Sequence, residues 1–178
     1  MIRLFAAVAI PQDIGAGLIR RQQGLVGARW RPLESFHITL RFFGNISENK
    51  ADDLDAELAR ARAPAFDLSL AGVGTFGEGV DIRSLWAGTE PSAMLERLAG
   101  RCEAAARRAG LAPDTRAYRP HVTLAYLSRA EPAHVAAWVQ GNNLLRSPPF
   151  HVSRFGLYSS WRADDGQVYR LERSYSLA

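Results

Sequence analysis

His37-Ile38-Thr39-Leu40 and His121-Val122-Thr123-Leu124 are the two stretches whose reading decides the fold. On an extended strand alternate residues share a face, so each His sits beside its Thr while Ile38, Leu40, Val122 and Leu124 turn the other way. The apolar set suits a sheet face packed on helices, and the His and Thr pairs then point toward whatever the opposite faces enclose. The offset of 84 between the tetrads also relates Pro64 and Phe66 to Pro148 and Phe150. The chain therefore reads as two β-α-β-α-β halves, each too small to bury its own sheet face, closing on one another. The expected class is α+β: one bilobal domain over residues 1–178, with two pseudo-symmetric halves and mostly antiparallel sheets facing a central groove.

Working outward, Leu4 to Ile10 is an apolar run suited to a buried strand. Residues 12–26 carry Ile14, Leu18 and Leu25 at helical spacing, weakened by Gly15, Gly17 and Gly24. Phe36 to Phe43 reads as a strand ended by Gly44. Ser47 caps a predicted helix over 48–62, and Ser92 caps another over 93–109 that Gly110 stops. Strands are predicted at 66–76, 85–88, 121–127, 150–159 and 169–177, with a short helix over 132–140. Asp165-Gly166 marks the turn before the last strand.

The chain has 178 residues, 47% of them hydrophobic, which suffices for one sizeable core and not for two ordinary large domains. One cysteine, Cys102, rules out an internal disulfide and a multi-cysteine zinc site. No apolar run reaches membrane-spanning length, and the expected setting is the cytoplasm, as a monomer with no membrane association. The net charge is +4, from 22 basic and 18 acidic residues. Lys50 is the only lysine, and the remaining arginines fork readily onto phosphates.

Two imidazoles and two hydroxyls from related strands make an acid–base site. One His takes a proton from water, the other gives one to a leaving oxygen, and the hydroxyls hold a phosphate's oxygens. A single His-x-Thr would be an ordinary strand feature; two copies in register with other repeat markers favour catalysis by His37 and His121, with Thr39 and Thr123 on the substrate. Arg41 and Arg119 share the parity of the histidines and are expected to face the same anion. Of the aromatics Trp30, Phe36, Trp86, Tyr118 and Tyr126, one or two are expected to stack a base, with Phe36 and Trp86 the candidates. His134 and His151 lack an x-Thr partner and read as non-catalytic. No spacing of His, Cys or acidic residues suggests a metal, so neither metal nor cofactor is expected. A non-catalytic RNA-binding module and an RNA-end ligase remain alternatives on these residues.

With their flanks, Arg29-Trp30, Phe36, Arg41-Phe42-Phe43-Gly44, Leu85-Trp86-Ala87-Gly88 and Arg119-Pro120, the paired motifs resemble the two-histidine (2H) phosphoesterases, specifically the LigT-like RNA 2′,3′-cyclic phosphodiesterases. The resemblance runs over essentially the whole chain. It implies metal-free opening of 2′,3′-cyclic phosphates on RNA ends or nucleotides to 2′-phosphates. It further implies His37 as donor to the 3′ oxygen, His121 as the base, and Thr39 and Thr123 as phosphate ligands. One position departs from the pattern: many members carry Arg where this chain has Tyr126.

Overall fold

The computed structural model describes residues 1–178 as ten strands and four α-helices. In chain order these are β1 (Ile2–Ala9), α1 (Gln12–Ile19), β2 (Ala28–Trp30), β3 (His37–Ile46), α2 (Glu48–Ala59), β4 (Phe66–Leu68) and β5 (Leu70–Phe76). There follow β6 (Ser84–Thr89), α3 (Ala93–Arg108), β7 (His121–Leu127), α4 (Pro132–Asn142), β8 (Phe150–Val152), β9 (Arg154–Ala163) and β10 (Gly166–Ser176). No helix is long and apolar enough to cross a membrane.

The strands form two four-stranded antiparallel sheets, ordered β10-β9-β1-β3 and β2-β7-β6-β5, and a two-stranded ribbon, β4-β8. The α+β class and the paired sheets follow the sequence expectation, but the halves are not the lobes. Each sheet takes strands from both: β1 and β3 pair with β9 and β10, while β6 and β7 pair with β5 and β2. The exchange happens where the predicted strands 66–76 and 150–159 each break, at Ser69 and Ser153. There β4 and β8 pair so that Asp67 opposes His151, its own equivalent in the repeat.

Local chemistry explains the helices. Ser47 and Ser92 accept hydrogen bonds from the backbone N–H of Lys50 and Leu95, capping α2 and α3. Helix α3 buries Leu95, Leu98, Cys102, Ala105 and Ala106 on one stripe. The first helix stops at Ile19, and the left-handed backbone at Gly24 (φ 76°) keeps it from reaching residue 26. Ile38, Leu40, Val122 and Leu124 are all buried in the shared core, so the opposite faces of β3 and β7 are left for the groove.

Candidate active site

Both histidines open their strands, and both are oriented by the backbone two residues earlier. His37 Nδ1 donates to the Ser35 carbonyl at 2.8 Å, and His121 Nδ1 to the Arg119 carbonyl at 2.7 Å. A carbonyl only accepts, so the proton of each neutral ring is on Nδ1 and Nε2 keeps its lone pair. His37 packs 4.9 Å from Phe5 and edge-on to Tyr169 at 5.0 Å; His121 meets the Phe76 ring edge-on at 4.8 Å.

Each ring lines a cleft of its own. The smaller, about 210 Å³, is lined by His37, Thr39 and Thr123 together with Arg31 and Tyr169. The larger, about 570 Å³, is lined by His121, Trp86, Phe76 and Arg119. Burial is the main influence on both rings. It lowers His37 to about 4, helped by the nearby His121 and Arg31 and opposed by the Ser35 carbonyl. It lowers His121 as well, opposed by the Arg119 carbonyl. Both rings are therefore neutral at pH 7, with Nε2 ready to accept a proton.

The structure brings together His37, Thr39, His121 and Thr123, with Trp86 paired beside Thr123 across β6 and β7. The Trp86 indole lies so flat on β5 that a Cβ at Gly74 would fall 2.3 Å from it. The Arg119 side chain is exposed at the mouth of the larger cleft.

Arg41 and Phe36 depart from expectation. In β3 the register slips after Thr39, so that Leu40 and Arg41 both oppose Ala6 and turn to the helix side. The guanidinium of Arg41 is spent there on the Glu103 carboxylate of α3 and the Ala112 carbonyl. Phe42 takes the groove-facing place instead. The same bulge recurs at Leu124 in β7, which turns Ala125 inward and Tyr126 toward the groove. Phe36 is 3% exposed, and its ring edge lies 3.3 Å from the position of a Gly15 Cβ, so it is core and no stacking platform.

Sequence reasoning missed Arg31. It follows β2, with its N–H bonded to the Leu124 carbonyl at 2.8 Å, and is only 6% exposed although no carboxylate pairs with it. Its guanidinium lies 5.5 Å from the Tyr126 ring and 5.8 Å from that of Tyr169. The only available signal was an Arg set between Trp30 and Pro32 in a stretch without periodicity. No three His, Cys, Asp or Glu side chains gather into a metal-binding cluster.

A pair of neutral imidazoles over two threonines, at the junction of two exchanged sheets, defines a phosphoester-handling class. The chain belongs to the 2′-5′ RNA ligase superfamily, which matches residues 13–164. It is 27% identical over 172 residues to the RNA 2′,3′-cyclic phosphodiesterase of Archaeoglobus fulgidus, covering 95% of this chain and 97% of that one. To the protein of that name from Geobacillus stearothermophilus it is 37% identical over 98 residues, 54% of this chain but only 31% of the relative's length. Among solved structures it is similar to E. coli LigT complexed with 3′-AMP, with a TM-score of 0.80, 28% identity, and 99% and 98% of the two chains covered.

Proposed function

We propose that this chain opens 2′,3′-cyclic phosphates, at RNA ends or on nucleotides, to 2′-phosphates by metal-free acid–base catalysis. The observation that carries the reading is that His37 and His121 lie near one another, each with Nδ1 tied to a carbonyl and Nε2 free, with Thr39 and Thr123 lining the cleft beside His37. His121 Nε2 takes a proton from water as the water oxygen bonds to phosphorus. The bond from phosphorus to O3′ breaks, and His37, protonated next to the anionic substrate, gives O3′ its proton. His121 suits the base because it lines the larger cleft, which has room for the attacking water. His37, in the smaller cleft, gains its proton when the phosphate's charge offsets the burial that lowers it. The Thr39 and Thr123 hydroxyls donate to the non-bridging oxygens, and Trp86 and Arg119 flank the nucleoside. Both histidines come from one chain, so a single copy completes the site and a monomer suffices for the reaction.

The test is to incubate the protein with a 2′,3′-cyclic-ended oligonucleotide and separate the products, with chelator present throughout. Hydrolysis to a 2′-phosphate is expected. No change would favour a binding module, joining to a 5′-hydroxyl strand would favour a ligase, and loss with chelator that a divalent ion restores would overturn the metal-free mechanism. Replacing His37 or His121 by Ala should each remove most turnover, with the double variant little worse. Thr39→Ala or Thr123→Ala should cost on the order of 2–4 kcal/mol of transition-state stabilisation at most. His134→Ala and His151→Ala are the controls.

A further inference from the structure

The smaller cleft extends past the reacting groups, and its far end is built for charge. Strand order places β9 two strands from β3, about 10 Å away at ordinary sheet spacing. At that end Ser160 is 8% exposed and lines the cleft, and its hydroxyl has no hydrogen-bond partner. Buried hydroxyls are ordinarily satisfied, so an unpaired one on a cleft wall is waiting for a ligand atom. Beside it lies the buried Arg31 guanidinium. Nη2 donates to the Gln167 carbonyl at 3.0 Å, and Nη1 sits 3.5 Å from where a Gly166 Cβ would be. Those contacts place the charge over the start of β10, beside the Tyr169 ring at 5.8 Å. A buried cation without an anion is unfavourable unless something supplies one. Arg3, the other arginine lining this cleft, is exposed and rests 4.7 Å over the Phe42 ring, also without a carboxylate.

A phosphate held by Thr39 and Thr123 does not reach a hydroxyl two strands off. We propose that Arg31, Ser160 and Arg3 form a second anion subsite, which takes a phosphate carried on the 5′ side of the nucleoside whose cyclic phosphate lies between His37 and His121. This rests on the phosphodiesterase reading of the groove. The cyclic phosphate occupies O2′ and O3′, so O5′ is the sugar oxygen left to carry the second phosphate, and one ribose bridges the two subsites. That phosphate is either the next phosphodiester of an RNA strand or the 5′-phosphate of a nucleotide.

Three substrates separate the possibilities: a nucleoside 2′,3′-cyclic phosphate with a free 5′-hydroxyl, the same compound with a 5′-phosphate, and a cyclic-ended dinucleotide. The expected kcat/KM is on the order of tenfold higher with the 5′-phosphorylated compound or the dinucleotide, mostly through KM, as one added charge-assisted contact gives. A gain with the dinucleotide alone assigns the subsite to RNA strands, and a gain with both assigns it to the phosphate itself. Arg31→Met should bring the ratio near one, Ser160→Ala should lower it severalfold, and Arg31→Lys should retain part of it. Ser160→Ala removes one atom and tests the subsite even if Arg31→Met fails to fold. Equal kcat/KM for all three substrates, or a preference that survives Arg31→Met, would overturn the subsite while leaving the phosphodiesterase reading intact. Hydrolysis of none of them would overturn that reading itself.

Discussion

At the scale of single residues the site depends on two imidazoles kept neutral by burial. Folded, His37 is lowered to about 4 from its ordinary 6.5. Between those values the unfolded chain binds more protons than the folded one, so this group's effect is absent above pH 7 and grows as the pH falls from 6.5 toward 4. The loss of stability from His37 alone is about 2 kcal/mol at pH 5. Urea unfolding at pH 7 and pH 5 should show a drop in midpoint that His37→Gln reduces; an equal drop in both proteins would mean that His37 is not the buried neutral group described. A bound anion favours the protonated ring, so inorganic phosphate should restore part of the stability lost at pH 5.

Among the elements, the bulges in β3 and β7 decide which side chains line the groove. Each slips the register by one residue after its Thr, so Phe42 and Tyr126 enter the groove while Arg41 goes to α3. Arg41→Met should therefore lower stability by about 1–3 kcal/mol, by leaving Glu103 short of its partner, and should not raise KM for a cyclic-phosphate substrate. A selective rise in KM at unchanged stability would return Arg41 to the groove. The motif strands, the caps at Ser47 and Ser92 and the parity of His37 with Thr39 were legible because they are written locally, in periodicity and in side-chain chemistry. The bulge was not, because Leu40-Arg41-Phe42 alternates as well as a regular strand does, and the Glu103 carboxylate that Arg41 meets lies far off in sequence. Arg31 was hidden for the same reason: its surroundings come from β7 and β10, and nothing in Arg29-Trp30-Arg31-Pro32 announces them.

Over the whole molecule, the repeat was legible but the exchange of strands between its halves was not, since an offset of 84 relates equivalent positions without saying which sheet each joins. The exchange makes a testable difference. If each half were a lobe, fragments 1–84 and 85–178 would each keep a sheet; as built, each fragment leaves its sheets short of partner strands. Circular dichroism should show each fragment largely unfolded alone, with structure gained on mixing, and a separately folded fragment would contradict the topology.

The place of β1 in its sheet bears on how the protein is made. This strand leaves the ribosome long before one of its two neighbours, β9, is synthesised. Until then one edge of Ile2–Ala9, apolar and unpaired, is open to any other strand in reach. Phe5, which packs between His37 on one side and Tyr158 and Tyr169 on the other, gains its second wall only when that hairpin emerges. A translation product that stops before the hairpin thus contains both His-x-Thr motifs in full and still has no enclosed groove in which to use them.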